Sequence, residues 1–349
     1  MTLVGADRPQ LRCIVPPYLL ESIARQGSPA QRERAGRALV LDAAHRAGRA
    51  HGGTAGPVAT ATGDSARRTV SSAAGTETLP GQRVRAEGDP AAGDAAVDEA
   101  YDGLGSTYDF YLGSYDRHSV DDRGLPLQAT VHYGADYDNA FWNGERMVFG
   151  DGDGELFHRF TVAVDVIGHE LTHAVTENTA ALAYRDQPGA LNESVSDVFG
   201  SLVKQRGLGQ DAGDADWLIG AGLLIDQVHG VALRSMKAPG TAYDDPVLGK
   251  DPQPAHLRDL VVTTDDDGGV HINSGIPNHA FYLAATALGG PAWEVAGRVW
   301  YDTLVSGGLP TDADFAVFAA ATARSAQARF GSDVEQTVRT AWDAVGVTA

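Results

Sequence analysis

Cysteine is nearly absent from this chain. Cys13 is the only one among 349 residues, so no disulfide can form within it and the redox compartment is left open. Long apolar runs are missing as well. Nothing approaches the ~20 consecutive apolar residues that a membrane-spanning helix needs. The opening stretch, "MTLVGADRPQLRCIVPPYLLESIARQ", has no apolar segment behind a basic start, and no standard secretory signal peptide is visible in it. Basic residues are scarce: 27 Lys+Arg stand against 46 Asp+Glu, for a formal net charge of −19. A phosphate backbone needs Lys and Arg to displace its counterions, so nucleic acid is not an expected partner.

What is present is an ordinary globular balance, 43% hydrophobic and 21% charged, on a chain long enough for two lobes with real cores. The charge is unevenly placed. Residues 1–68 hold 10 Lys+Arg and 5 Asp+Glu, a net of +5, which leaves −24 for the rest. A basic head on an acidic body suits a segment that docks on its own chain.

Residues 29–49 read as a short helix, with Ser28 placed to cap it and Pro29 at its first position. Residues 50–68 are small, polar and Gly-rich, and read as a flexible linker. Its last pair, Arg67-Arg68, looks like an exposed protease site. Helical spacing then relates Val97, Ala100, Tyr101 and Leu104. Residues 128–134 alternate as a strand, and Asn143-Gly144 inside "NAFWNGERMVFG" predicts a hairpin over 139–150. "DGDG" at 151–154 is a turn cluster without the later ligands of an EF-hand. After residue 160 the periodicity is helical over 162–178, 190–205, 274–288, 293–306, 312–329 and 332–345. Strands followed by runs of helices predict an α+β fold, a mixed β-rich N-terminal lobe and a helical C-terminal lobe. The expected divisions are 1–68, 69–178 and 179–349.

The chemistry concentrates in "VIGHELTHAVTE", residues 166–177. On a helix, His169 and His173 stack on one face and can aim both imidazoles at one ion about 2 Å away. Glu170 sits roughly 100° round the helix, beside the ion rather than on it. His-Glu-x-x-His is the zinc-protease spacing. In "GALNESVSDVFGS" (189–201), Glu193 and Asp197 are again four apart. Glu193 suits a third ligand from a second helix, and Asp197 suits an acceptor that fixes a histidine tautomer. Val195, Val198, Phe199 and Leu202 supply that helix's core face.

Together, "NAFWNG", "GHELTHAVTE", "GALNESVSDVFG" and "DDGGVHINSG" (266–275) resemble, in order and spacing, the thermolysin-like zinc metallopeptidases over roughly residues 69–349. "CIVPPYLL" (13–20), with the helix and linker after it, is similar to the short propeptide of the protealysin-like branch. The resemblance implies a two-lobed zincin with the zinc cleft between its lobes, a His₂Glu ligand set of His169, His173 and Glu193, and hydrolysis of internal peptide bonds in proteins or peptides. It implies Glu170 as general base and then acid, His271 and Tyr184 as donors to the developing oxyanion, Asp266 orienting His271, and Asn192 supporting His173. Asn139, Ala140 and Arg234 would hold substrate main chain. Phe157, Phe160, Val166, Ile219 and Leu233 would line the pocket for a bulky apolar residue after the scissile bond. Phe160, where the family usually has Leu, narrows that pocket.

The family's paired calcium site beside the zinc helix is expected to be missing. Asp165 and Asp216 match two of its positions, but Lys204, Leu218 and Ala221 occupy the others, and Ca²⁺ wants six to eight oxygens. Lys204 is expected to pair with Asp165 instead; calcium elsewhere on the chain is left open. Residues 1–68 are read as an inhibitory propeptide, with Pro16, Pro17 and Tyr18 as the segment in the cleft. Pro16-Pro17 would fill it without offering an ordinary scissile amide. Cys13 is expected to pack as a small apolar residue rather than bind zinc. The resemblance implies secretion; a cytoplasmic location is the alternative. The competing functional reading is a non-catalytic zinc-containing binding protein on the same fold, and a further one is another zincin such as an aminopeptidase.

Overall fold

The computed structural model describes residues 12–49 and 65–348. Most of the expected linker, residues 50–64, lies outside the described residues. In the head, β1 (Arg12–Cys13) is followed by α1 (Pro17–Gln26) and α2 (Pro29–Arg49). α1 was not anticipated from the sequence. Pro17 occupies its first position, where the missing N–H costs nothing, and Leu19, Leu20 and Ile23 bury its inner face.

The body opens with β2 (Arg68–Ser72) and β3 (Gln82–Ala86). α3 (Ala95–Tyr115) follows, capped by Asp94, whose side chain accepts from the N–H groups of Ala96 and Val97. Next come β4 (Leu127–Val131), β5 (Ala140–Trp142) and β6 (Met147–Phe149). β5 and β6 form the predicted antiparallel hairpin, and Asn143 Oδ1 accepts from the N–H groups of Glu145 and Arg146 to close its turn. β1 to β6 make one sheet in the order β1-β5-β6-β4-β2-β3. The head therefore supplies an edge strand of the body's sheet.

Helices α4 (Val164–Glu177) and α5 (Asp186–Leu208) lead into the second lobe, where the short pair β7 (Leu218–Ile219) and β8 (Arg234–Ser235) precedes five helices. These are α6 (Asp266–Asn273), α7 (Gly275–Leu288), α8 (Ala296–Val305), α9 (Phe315–Phe330) and α10 (Ser332–Ala344). α6 escaped sequence reading because its start is not helical: Asp266, Asp267, Gly268 and Gly269 all have positive φ. The α+β class and its division into a sheet lobe and a helical lobe are as expected.

The Arg67-Arg68 expectation is corrected. Arg68 opens β2, pairs in parallel with Leu127, and bonds Glu87 through Nε at 2.8 Å while its guanidinium lies 3.8 Å over the Tyr101 ring. Arg67 accepts from the Leu127 N–H and donates to the Gly124 carbonyl. A bond held in a ladder on both sides is not an exposed protease site. The composition of the preceding linker gave no hint that pairing had already begun.

Candidate metal centre and active site

α4 and α5 touch backbone to backbone. A Cβ on Gly200 would stand 2.4 Å from the Asp165 carbonyl, and one on Gly168 would stand 3.1 Å from the Gly200 Cα. Two glycines facing each other allow that approach. It brings the stacked histidines of α4 against Glu193 of α5. His169 Nε2 and His173 Nε2 are 3.1 Å apart, and each lies 3.4 Å from a Glu193 carboxylate oxygen. Donors about 2.0–2.1 Å from a tetrahedral ion stand roughly 3.3 Å from one another, so these three edges fit a zinc-sized ion. All three side chains are buried, and Glu193 Oε2 has no hydrogen-bond partner.

Behind the histidines sits a layer that sets their tautomer. His169 Nδ1 lies 2.8 Å from Asp197 Oδ1, and His173 Nδ1 lies 2.9 Å from Asn192 Oδ1. Giving Nδ1–H to these oxygens leaves both Nε2 lone pairs facing the centre. Asp197 also receives both Nε and Nη2 of Arg234, each at 2.8 Å, and Asn278 Nδ2 at 2.8 Å. Burial would raise the Asp197 carboxyl, but Arg234 and His169 outweigh it and hold it at about 2. Burial likewise opposes charge on the His169 ring, yet Asp197 and Glu193 outweigh it, so the two carboxylates draw a cation, a proton or a metal ion, to its Nε2. The site is built for positive charge.

Glu170 is fully buried beside the centre. Its Oε2 accepts from the Trp142 N–H at 3.1 Å, whereas Oε1 has no protein partner. Burial pushes this carboxyl up to about 8, with the Glu193 charge adding and His169 opposing. Across the site, Asp266 holds His271 twice, through Nδ1 at 2.6 Å and through the backbone N–H at 2.9 Å. The left-handed run 266–269 makes that double grip, and glycine suits it: Gly268 has a φ of +88°, and a Cβ there would stand 3.0 Å from the Asp186 backbone nitrogen. Burial lowers His271, but Glu193 and Asp266 hold it up at about 9, and its Nε2 faces the Glu193 carboxylate at 3.5 Å. That Nε2 is 3.3 Å from Tyr184 Oη, which itself donates to Glu193.

Ala140 opens β5, just after Asn139, with β1 of the head paired along its outer side, and Arg234 opens β8 opposite Ile219. Phe157, Phe160, Val166, Ile219 and Leu233 are all buried, and the two phenylalanine rings are 5.8 Å apart. The head crosses this centre. β1 pairs antiparallel with β5, and from α2 the buried Asp42 accepts from Tyr137 Oη at 2.6 Å and from Asn139 Nδ2 at 3.1 Å. Along β5 run β1 and then Ile14 and Val15; Pro16, also buried, follows them, and Pro17 opens α1. Cys13 is buried and its thiol is not among the grouped ligand atoms. Lys204 Nζ stands 2.9 Å from Asp165, 3.0 Å from Asp216 and 2.7 Å from the Leu218 carbonyl.

Sequence reading missed Ser196, Asn278 and Asp42. Ser196 Oγ is 3.0 Å from His173 Nδ1, and its spacing of four from Asn192 was a usable signal. Asn278 and Asp42 reach partners 81 and 97 residues away, with no local pattern to mark them.

Comparison with known proteins agrees with this geometry. "Thermolysin metallopeptidase, catalytic domain" matches residues 51–177, and "Thermolysin metallopeptidase, alpha-helical domain" matches residues 180–347. An "Extracellular metalloprotease" of Pectobacterium carotovorum subsp. carotovorum is 55% identical over 334 residues, 96% of each chain. The chain belongs to the thermolysin metallopeptidase family. "Protease PrtS" of Photorhabdus sp. (strain Az29) is 47% identical over 96% of this chain and 91% of its own. The solved structure "Precursor of Protealysin, Metalloproteinase from Serratia proteamaculans" superposes with a TM-score of 0.90 at 56% identity, covering 97% of this chain and 100% of that one. As a thermolysin-like metallopeptidase of the protealysin-like branch, the chain is a hydrolase of peptide bonds in a family that works with catalytic zinc.

Proposed function

We propose that this chain is a zinc endopeptidase made as a zymogen, with its head in the cleft until the chain is cut ahead of Ser65, and that it favours a bulky apolar residue after the scissile bond. The observation that carries the reading is the pairing of a three-ligand centre with a buried carboxylate oxygen, Glu170 Oε1, that no protein group satisfies. An unpaired buried acceptor is costly and marks where a reactant belongs.

His169, His173 and Glu193 would hold the zinc. When bound, the ion supplies a Lewis acid toward the scissile carbonyl and a lowered pKa for water. Glu170 takes the proton of the attacking water and later delivers it to the leaving nitrogen, a role suited to a carboxyl held at about 8. His271 Nε2 and Tyr184 Oη donate to the carbonyl oxygen as it gains charge. Asp266 aims His271 through its Nδ1, while Asp197 and Asn192 take the Nδ1–H of the ligand histidines and leave each Nε2 free for the ion. Asn139, Ala140 and Arg234 bind substrate main chain as one more strand on β5. Phe157, Phe160, Val166, Ile219 and Leu233 form the apolar pocket. Lys204 takes the place of a paired calcium. The body divides near residue 178, and relatives named extracellular support secretion.

Glu170→Ala should retain about one equivalent of zinc, read by mass spectrometry of the native protein, and lose casein hydrolysis. Hydrolysis at the wild-type rate would remove Glu170 as the base. Purified uncut chain should be nearly inactive and gain activity on proteolysis within residues 50–64; full activity in the uncut chain would end the zymogen reading.

A further inference from the structure

Every main-chain polar group from the Cys13 carbonyl to the Val15 carbonyl has a partner, and the partners run in order along the cleft. The Cys13 carbonyl accepts from His271 Nε2 at 3.2 Å. The Ile14 N–H donates to the Ala140 carbonyl at 3.1 Å, and the Ile14 carbonyl accepts from Arg234 Nη1 at 3.2 Å. The Val15 N–H donates to Asn139 Oδ1 at 3.0 Å, and the Val15 carbonyl accepts from Asn139 Nδ2 at 3.3 Å. The ladder starts with Arg12 opposite Trp142 and Cys13 opposite Phe141.

Of these carbonyls, the one from Cys13 rests on His271 Nε2, the ring nitrogen that faces Glu193 at 3.5 Å. A peptide carbonyl on that donor presents its carbon to an oxygen attacking from the Glu170 side, and the bond after it is the one exposed to hydrolysis. We propose that the head binds in the direction and register of a substrate, with Cys13–Ile14 as the bond at the catalytic position and Ile14 in the pocket that selects the residue after it. The proposal rests on the endopeptidase reading above and deepens it.

Three further observations agree. Ile14 is fully buried, and the Arg234 that holds its carbonyl follows Leu233 and pairs with Ile219, two of the pocket residues. Isoleucine is among the bulky apolar residues that pocket suits. Pro16 has no N–H to continue the ladder, so pairing ends at Val15 and the chain turns into α1. Hydrolysis here would add water across the Cys13 carbonyl carbon and the Ile14 nitrogen, leaving a carboxylate on Cys13 and an amine on Ile14. Contacts of α1 and α2 with the body would keep the new Ile14 terminus in place. A side chain that makes a good substrate thus also makes a good inhibitor.

The test is a series at residue 14 in the full-length chain: Ile14→Leu, Ile14→Val, Ile14→Phe, Ile14→Ala and Ile14→Asp. Residual hydrolysis of a short fluorogenic peptide is measured before activation. Each variant is then cut within residues 50–64, and equal activity afterwards certifies its fold. In parallel, kcat/KM of the activated wild type is measured on peptides carrying the same residues after the scissile bond. The two rankings should mirror each other, the better substrate residue giving the lower residual activity. Ile14→Asp should raise the activity of the uncut chain by about tenfold or more, since an apolar pocket rejects a charge. A second readout is intact mass: any cut made by the zinc-loaded chain within residues 12–18 should fall between Cys13 and Ile14 and be missing in Glu170→Ala. A flat series at 14, a ranking that instead follows residue 13 or 15, or a cut at another bond in that stretch overturns the register. If the activated enzyme hydrolyses nothing, the endopeptidase reading is what fails.

Discussion

At the scale of single residues, the centre depends on side chains that are missing as much as on those that are present. Gly200→Ala would drive a methyl to within 2.4 Å of the Asp165 carbonyl and 3.0 Å of the His169 nitrogen. Backbone cannot yield as a flexible side chain does, so α4 and α5 must separate. The expected outcome is a melting temperature lowered by several degrees together with zinc content below one equivalent; normal zinc content in a stable variant would show that the helices have slack. Asp197 is a different case. It carries His169, Arg234 and Asn278 at once. Asp197→Asn should weaken zinc affinity by about 10–100-fold, measured by competition with a chelator, because the ring loses the acceptor that orients it. The stacking of His169 and His173 on one face was legible from spacing, since i and i+4 on a helix is a local geometric fact, whereas the set with Glu193 came with the family resemblance. Asn278 was not legible, because its partner lies 81 residues away.

At the scale of elements, two ion-pair clusters fasten pieces that sequence separates. Lys204 on α5 ties Asp165 of α4 to the segment entering β7. Its side chain is 12% exposed and that of Asp165 only 1%. Lys204→Met would leave a buried carboxylate without its cation and cost about 3–5 kcal/mol, read by denaturant unfolding, with no rescue by added calcium. Rescue by calcium would mean that the paired metal site persists. In the head, Arg34 of α2 reaches Asp153 at 3.1 Å and Glu155 at 2.9 Å on the body. Arg34→Ala should loosen the head and raise the peptide-hydrolysing activity of the uncut chain several-fold; unchanged activity would leave the grip to β1 and Asp42. The helices after residue 160 were readable because their apolar period is strong, and their observed limits fall close to the expected ones. α6 was unreadable because its first turn is left-handed, and β2 because its strand residues are polar and gain their pairing from β4 far along the chain.

At the scale of the whole molecule, the described head, residues 12–49, holds seven Arg against three Asp and Glu, a net of +4, and it docks on an acidic body where Arg34 meets Asp153 and Glu155. Asp138 lies beneath it. Burial, helped by the Asp153 charge, pushes its carboxyl up to about 8, with Arg34 opposing. An unfolded aspartate titrates near 3.9, so the contribution of this group to stability is fully present below that value. It is lost as pH rises through about 8, because the unfolded chain gives up a proton that the folded one keeps. Asp138→Asn removes the titration. Its melting temperature relative to wild type should therefore rise steadily from pH 5 to pH 8.5; a difference that stays constant with pH would show that Asp138 is already ionised in the fold.

By itself the sequence determined what is local or compositional: the helical period, the hairpin at Asn143-Gly144, the ligand types and their spacing, and the opposite charge of head and body. Tertiary structure alone decided how close α4 and α5 come, that pairing begins at Arg68, and that the main chain of Cys13–Val15 is the part bonded to His271, Ala140, Arg234 and Asn139. Those outcomes rest on backbone contacts and hydrogen bonds between residues as far apart as 258 positions. A main-chain donor or acceptor is the same in every residue, so its choice of partner leaves no trace in the order of the side chains.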